Sequence, residues 1–291
     1  MCLKRIIMLF FVPTPIGNLL DISLHTLMVF NKCKVILCED TRVTKKLLTL
    51  LLRNDFIQQN YPNINPQEKH FISFHSHNQD EFLRNANKDF FTQDIAFCTD
   101  AGMPNISDPG PLLLRYVREN NIEYEVVLGG GAFSHAFVCS GLEGAFYFGG
   151  FLAHKQQERQ KHLKSLLEYH NTTHIILYES PKRLRESLSD IALFMPDSTL
   201  FVYKELTKLY EREIIGSPQE ILAKLPNNIK GEYCIIIQKD SKNSLKDSKE
   251  KILRLGKDDI LALDIPPKQK AKLLAQVSEK SIKEWYTILT Q

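Results

Sequence analysis

The sequence predicts an α/β protein: two α/β domains followed by a small helical module at the C-terminal end. Three observations predict it. Short apolar runs alternate with stretches of helical spacing as far as Leu128. More closely spaced apolar runs continue to Lys239. The rest is polar and basic, with apolar residues at helical spacing. Short apolar strands alternating with helices make a mainly parallel sheet covered on both faces. The expected domains are 1–149, 150–239 and 240–291.

The first expected strand is Ile6–Val12. Its start, "MCLKRIIMLFFVP", imitates a secretory leader, but the apolar run is short, Pro13 ends it and no small-residue cleavage site follows. Met8 is an alternative first residue. Further strands are expected at Val35–Cys38, His70–Phe74, Ile95–Cys98 and Tyr124–Leu128. Between them "ISLHTLMVF", "RVTKKLLTLLL", "DEFLRNANKDFF" and "PLLLRYVREN" carry apolar residues at helical spacing. In the second half the strands "THIILYES", "TLFVYKEL", "YEREIIGS" and "EYCIIIQ" lie close together, as in a mixed sheet, with a helix in "PKRLRESLSDIAL". "DSKNSLKDSKEK" reads as a polar linker. Beyond it, Pro266 and Pro267 separate two short helices. No run is long enough to span a membrane as a helix.

The Gly/Pro-rich stretches all follow expected strands: "PTPIGN", "DAGMPNISDPG" and "GGGAF". Ligands of parallel α/β sheets bind outside the carboxyl ends of the strands, so these stretches mark a ligand rim. In "TDAGMPNISDPG" glycine removes side-chain bulk and proline fixes the backbone, which suits a loop wrapped around a ligand. The rival reading makes Asp108 a helix N-cap with Pro109 at the first helical position. That explains the last three residues but not "DAGMP".

The net charge is +3 and unevenly placed: from Lys239 onward twelve Lys or Arg stand against eight Asp or Glu. A basic tail on a nearly neutral body fits a polyanion partner, or a solvated helical tail. The six cysteines form no C-x-x-C pair. Most sit in apolar runs and read as buried thiols of a reducing cytosol, with no disulfide framework and no zinc site. His75 and His77 are the closest histidine pair, too little for a metal site. The turn after the first strand lacks G-x-G-x-x-G, and no P-loop or G-x-S-x-G elbow occurs.

"VPTPIGNLLDIS", "CEDTRVTKKLL", "DAGMPNISDPG", "SGL", "GFLAHK" with Arg159, "YESPKR", "KELTKLYE" and "KGE" occur in that order. Together they resemble the tetrapyrrole methylase family, and within it the group that methylates small-subunit ribosomal RNA. The resemblance runs from about Val12 to Lys239, and the tail is similar to that group's small C-terminal helical domain. It implies two α/β domains of tetrapyrrole methylase type with the cofactor cleft between them. It also implies S-adenosylmethionine (S-adenosyl-L-methionine), a cytidine ribose 2′-hydroxyl in the decoding region of 16S ribosomal RNA within the 30S subunit, and a cytoplasmic homodimer.

By that resemblance Ala101, Gly102, Met103, Pro104 and Ile106 run along the methionine and ribose part of the cofactor, beside Asp100. Pro15 and Gly17 approach from the loop of the first strand. Gly131 and Ala132 form the next wall, and Tyr178 and Glu179 reach in from the second domain. The chain departs from the family pattern at Leu128-Gly129-Gly130-Gly131-Ala132, where P-G-x-S-A is usual. It departs again at Ala153, usually proline, and at Lys204, usually arginine. Gly131 frees the backbone to approach the cofactor but removes one side-chain hydrogen bond.

Methyl transfer from a sulfonium relies on positioning, with a base useful only as the new bond forms. Asp100, Glu179, Lys204 and Glu205 are the candidates, and the sequence neither chooses among them nor requires that any base be used. Asp100 is equally a turn residue, Glu179 equally an anchor for "YESPKR" through Arg183, and Lys204 and Glu205 equally partners of each other. Arg42, Lys155, Arg159 and Arg183 are candidates for RNA phosphates, with Lys161 beside them, although for Lys155, Arg159 and Lys161 on a polar helix a solvated face is the default reading. Asp40 fits a helix cap, and Arg42 equally a bridge to it. Two other functions compete: methylation of a tetrapyrrole or protein side chain, and RNA binding without catalysis.

Overall fold

A computed structural model of the chain describes residues 7–240, 257–278 and 280–290. Residues 1–6 of the expected start, Cys2 among them, and most of the expected polar linker lie outside these. The chain divides into two compact units, Met1–Ser241 and Lys242–Gln291. Unit one holds two five-stranded sheets.

The first sheet and its helices follow in chain order: β1 (Leu9–Phe11), α1 (Leu24–Lys32), β2 (Val35–Cys38), α2 (Thr41–Leu51), α3 (Asp55–Asn60), β3 (His70–Ser73), α4 (Gln79–Asn85), β4 (Ile95–Cys98), α5 (Pro111–Glu119) and β5 (Tyr124–Val126). The strand order is β3-β2-β4-β1-β5, and every pairing is parallel. Both faces of β1 are apolar because both are covered. Phe10 packs with Leu27 and Phe30 of α1, while Leu9 and Phe11 pack with Leu113 and Val117 of α5. The chain therefore leaves β1 toward one face and β4 toward the other, which opens a crevice between their carboxyl ends. Strand β5 ends at Val126, short of the expected Leu128, whose side chain is exposed.

The second sheet belongs to α6 (Ala132–Ser140), β6 (Phe146–Phe151), α7 (Gln156–His170), β7 (His174–Glu179), α8 (Leu184–Phe194), β8 (Leu200–Lys204), β9 (Arg212–Gly216), α9 (Pro218–Lys224) and β10 (Tyr233–Ile237). Its order is β6-β7-β10-β8-β9. Only the β6–β7 pair is parallel, so the sheet is mixed as expected. Alternate residues of β7 and β10 face opposite layers. Ile175, Leu177, Ile235 and Ile237 pack under α7, α8 and α9. Ile176, Cys234 and Ile236 pack under Ala136 of α6. Helix α6 thus covers the second sheet.

Unit two, taken by itself, holds α10 (Lys257–Ala262), α11 (Pro267–Gln276) and α12 (Ile282–Leu289). Ile260, Ala271, Leu274 and Trp285 form its core. The Trp285 indole N–H donates to Ser278 Oγ at 2.6 Å, and Pro266 is the N-cap of α11 while Pro267, expected between the helices, is its first residue.

Candidate functional site

The crevice between β1 and β4 is closed by backbone before any side chain takes part. Thr14 and Gly102 exchange two N–H to carbonyl bonds, at 2.9 and 3.0 Å. Gly102 sits at φ +87°, in the left-handed region where a side chain is costly. Above this seam lies a cleft of about 470 Å³, within the range of small-molecule sites. The first sheet contributes Ile16, Glu39, Asp100, Ala101, Gly102 and Met103. The loop before α5 adds Ile106, Ser107 and Asp108, and the start of α6 adds Gly131 and Ala132. The second sheet supplies Phe151, Tyr178, Glu179, Ser180 and Pro181, then Leu206 and Glu232 to Cys234.

The structure therefore brings Asp100, Ala101, Gly102, Met103, Ile106, Gly131, Ala132, Tyr178 and Glu179 around one space. Three expected cofactor residues stand elsewhere. Pro15 lines a neighbouring cleft of about 590 Å³, and its neighbour Ile16 takes the place at the site. Pro104 is buried within its own loop and does not line the cleft. Gly17 serves a close approach instead: a Cβ there would meet the Lys208 side chain at 2.5 Å. Beside it the Asn18 N–H donates to Thr207 Oγ1 at 3.1 Å, joining the loops of the two halves.

The cleft is acidic. Glu39, Asp100 and Asp108 line it, and none of them has an ion-pair partner among the described residues. Burial raises all three carboxyls above their ordinary values, helped for Glu39 and Asp108 by their acidic neighbours. Asp108 is pushed up to about 7. It does not cap α5. The N-cap is Gly110 at φ +129°, with no side-chain cap, and Pro111 opens the helix. The rival cap reading of "DPG" is thus corrected, because the helix starts two residues later than Pro109.

Glu179 is a structural anchor, not a free base. Its carboxylate pairs with Arg183 at 2.7 Å, accepts the Ser180 N–H at 2.7 Å and accepts the Ser187 hydroxyl at 2.5 Å. Arg183, expected at RNA, is spent on that anchor, on Ser180 Oγ and on the Leu152 carbonyl. Arg159 is likewise corrected. It is buried on the inner side of α7, 2.6 Å from Asp190 and 3.4 Å from Glu186. Lys204 and Glu205 lie outside the cleft lining. Glu205 accepts from Lys208 Nζ at 3.1 Å and from the Glu232 N–H at 2.8 Å.

Asp40 caps α2 by accepting the Arg42 N–H at 2.8 Å and also holds the Arg42 guanidinium at 2.6 Å. Those Arg42 bonds keep its carboxyl down at about 2. The Arg42 side chain nevertheless remains 89 % exposed, and Lys155 and Lys161 are exposed as well. Cys33, Cys38, Cys98 and Cys234 are buried thiols, whereas Cys139 is exposed on α6. No metal-holding group of His, Cys, Asp or Glu occurs among the described residues. No helix there is long and apolar enough to cross a membrane.

Sequence reasoning missed Phe151, Leu206 and the Glu232–Cys234 segment as lining residues. "GFLAHK" and "KGE" carried the signal for two of them. Asp108 was obscured by its resemblance to a helix cap.

Residues 8–222 match the family described as Tetrapyrrole (Corrin/Porphyrin) Methylases. Over 285 residues the chain is 44 % identical to the ribosomal RNA small subunit methyltransferase I of Helicobacter pylori strain J99, covering 96 % of each. It is 39 % identical to the protein of that name from Campylobacter fetus, covering 96 % of this chain and 98 % of the other. Two solved structures share the fold. One is cobalt precorrin-4 methyltransferase, a cobalamin biosynthetic enzyme, with TM-score 0.55 and 14 % identity over 82 % of this chain and 98 % of that one. The other is diphthine synthase, with TM-score 0.59 and 11 % identity over 79 % and 90 %.

Proposed function

This chain belongs to the tetrapyrrole methylase family, in its ribosomal RNA small subunit methyltransferase I group, and on that premise we propose that it moves a methyl group from S-adenosylmethionine to a cytidine ribose 2′-hydroxyl in the decoding region of 16S ribosomal RNA. The observation that carries the reading is the cleft at the crevice of β1 and β4. Its glycine floor admits close backbone approach. Its three carboxylates without cationic partners suit a ligand with a positive charge. When bound, S-adenosylmethionine supplies an electrophilic methyl on a sulfonium.

The residues of the chain then have separable tasks. Gly102 and the Gly131–Ala132 turn give backbone walls to the donor. Tyr178 and Phe151 meet edge to face at 5.6 Å and bound the cleft from the second sheet. Glu39 and Asp100 set the negative field, and exclusion of water strengthens it. Exposed Arg42, Lys155 and Lys161 take phosphates, which orient the RNA without reading its sequence. The basic C-terminal unit adds charge for the same partner.

The reading includes a homodimer. Leu128 and Val138, both at the 590 Å³ cleft, expose 86 % and 77 % of their surface, and Leu20, Leu24 and Met28 are exposed on the segment whose Asp21, Ile22 and Ser23 line the same cleft. Apolar patches of this kind mark contact surfaces. The 30S subunit as substrate puts the protein in the cytoplasm.

The test is release of S-adenosylhomocysteine with purified 30S subunits, compared with a tetrapyrrole acceptor. The proposal expects turnover with the subunits alone. Turnover with the tetrapyrrole alone contradicts it.

A further inference from the structure

Among the carboxylates of the cleft, Asp108 and Glu39 each keep a single long side-chain bond among the described residues, whereas Glu232 pairs with Lys208 at 2.8 Å. Asp100 Oδ1 accepts the Asp40 N–H at 3.1 Å, and Glu39 Oε2 lies 3.5 Å from the Asp100 N–H it accepts. Glu179 is saturated by Arg183, Ser180 and Ser187. Asp108 caps no helix and forms no ion pair among the described residues. Its one side-chain bond is a long one, 3.4 Å, accepted from the Thr99 hydroxyl. It lies where the two halves face each other. Glu39 and Asp100 act on it from the first sheet, Glu232 from the second, and its own charge is felt at Tyr178 of β7.

We propose that Asp108 is the proton acceptor of the methyl transfer. Its carboxylate takes the hydroxyl proton of the acceptor as that oxygen bonds to the methyl carbon, while the methyl–sulfur bond breaks and its electron pair stays on sulfur. One positive and one negative charge disappear together, leaving thioether, ether and carboxylic acid. The inference rests on the reading of the cleft as the donor site.

A carboxyl lifted to about 7 by burial is half-charged near neutrality in the free protein. Apart from the Thr99 hydroxyl, the groups acting on it are acidic or phenolic, so its charge meets no cation until one arrives with a ligand. A bound sulfonium supplies that relief and draws the carboxyl toward its ionised form.

The test uses the full-length protein and begins without turnover. Calorimetry at pH 7 in buffers of different ionisation enthalpy counts protons released on binding. S-adenosylmethionine should release up to about half a proton, S-adenosylhomocysteine clearly less, and Asp108→Asn neither. Equal release for both ligands in the wild type overturns the assignment, and that result needs no variant. The second readout is single-turnover transfer to 30S subunits. Asp108→Asn should slow it by about 10²- to 10⁴-fold and remove the acidic limb of the pH–rate profile, while a thermal scan shows the native transition. A rate within threefold of wild type overturns the assignment and leaves the ribosomal RNA reading standing. A wild type that transfers nothing to 30S subunits contradicts that reading itself.

Discussion

The phenol oxygen of Tyr178 accepts the backbone N–H of Phe133 at 2.9 Å, so strand β7 caps helix α6 from outside. Helix α6 has Gly131 at its N-cap and no side-chain cap of its own, and its first N–H groups need partners. Tyr178 thereby fixes the Gly131–Ala132 wall of the cleft. Tyr178→Phe keeps the ring, which packs on Phe148 and Phe151, and strands the Phe133 N–H. We expect a loss of about 1–3 kcal/mol in denaturant unfolding and weaker S-adenosylmethionine binding by calorimetry. Unchanged stability and affinity would show that the wall stands without the bond.

Glu179→Ala separates anchoring from catalysis. The side chain is 1 % exposed and its partner Arg183 13 %. Removing one member of a buried pair leaves an uncompensated charge and costs about 3–5 kcal/mol. The variant should melt well below wild type. A variant of native stability that had lost only methyl transfer would restore Glu179 as a catalytic group.

Three glycines give a graded test of the loops. Gly102→Val places a branched residue at φ +87° and should cost about 1–3 kcal/mol in backbone strain as well as donor binding. Gly129→Ala drives a methyl into Pro13, whereas a Cβ at Gly130 meets nothing within 4 Å. Melting temperatures should therefore rank Gly130→Ala near wild type and Gly129→Ala below it. The reverse order would mean that the "LGGGA" loop is held differently.

The order of strands and helices was legible because β1, β2 and β4 are apolar on both faces while the second half mixes strand directions. The place of the cleft was legible from Gly102 and its neighbours, since a glycine- and proline-rich stretch after a strand marks close backbone approach. Charge roles were not. Arg159 and Arg183 look like phosphate binders in a polar helix and a basic motif, yet each closes on an acid distant in sequence or one turn away. Asp108 looked like a cap because "DPG" commonly starts a helix, and only the structure shows Gly110 in that place. Sequence spacing gives a residue's element, but partners such as Asp190 come from tertiary packing.

The acidic cleft also sets a pH dependence of stability. Asp108, Glu39 and Asp100 have carboxyl values raised by burial, so the folded state holds protons that the unfolded chain has released. Their contribution is fully present below about 4, the unfolded carboxylate range, and is lost as pH rises, through about 7 for Asp108. Asp108→Asn should therefore gain stability relative to wild type between pH 4.5 and 7.5, read as a difference in melting temperature at roughly those two values. A constant difference would mean that Asp108 titrates as it does in the unfolded chain.

The central claim is that the cleft between β1 and β4 serves ribose methylation of ribosomal RNA. The most direct measurement incubates the protein with purified 30S subunits and labelled S-adenosylmethionine, then maps the label by nuclease digestion and mass spectrometry of the nucleosides. The account predicts label in 2′-O-methylcytidine, confined to one decoding-region fragment of 16S RNA. Label on a base, on ribosomal protein, or on no component of the subunit would contradict it.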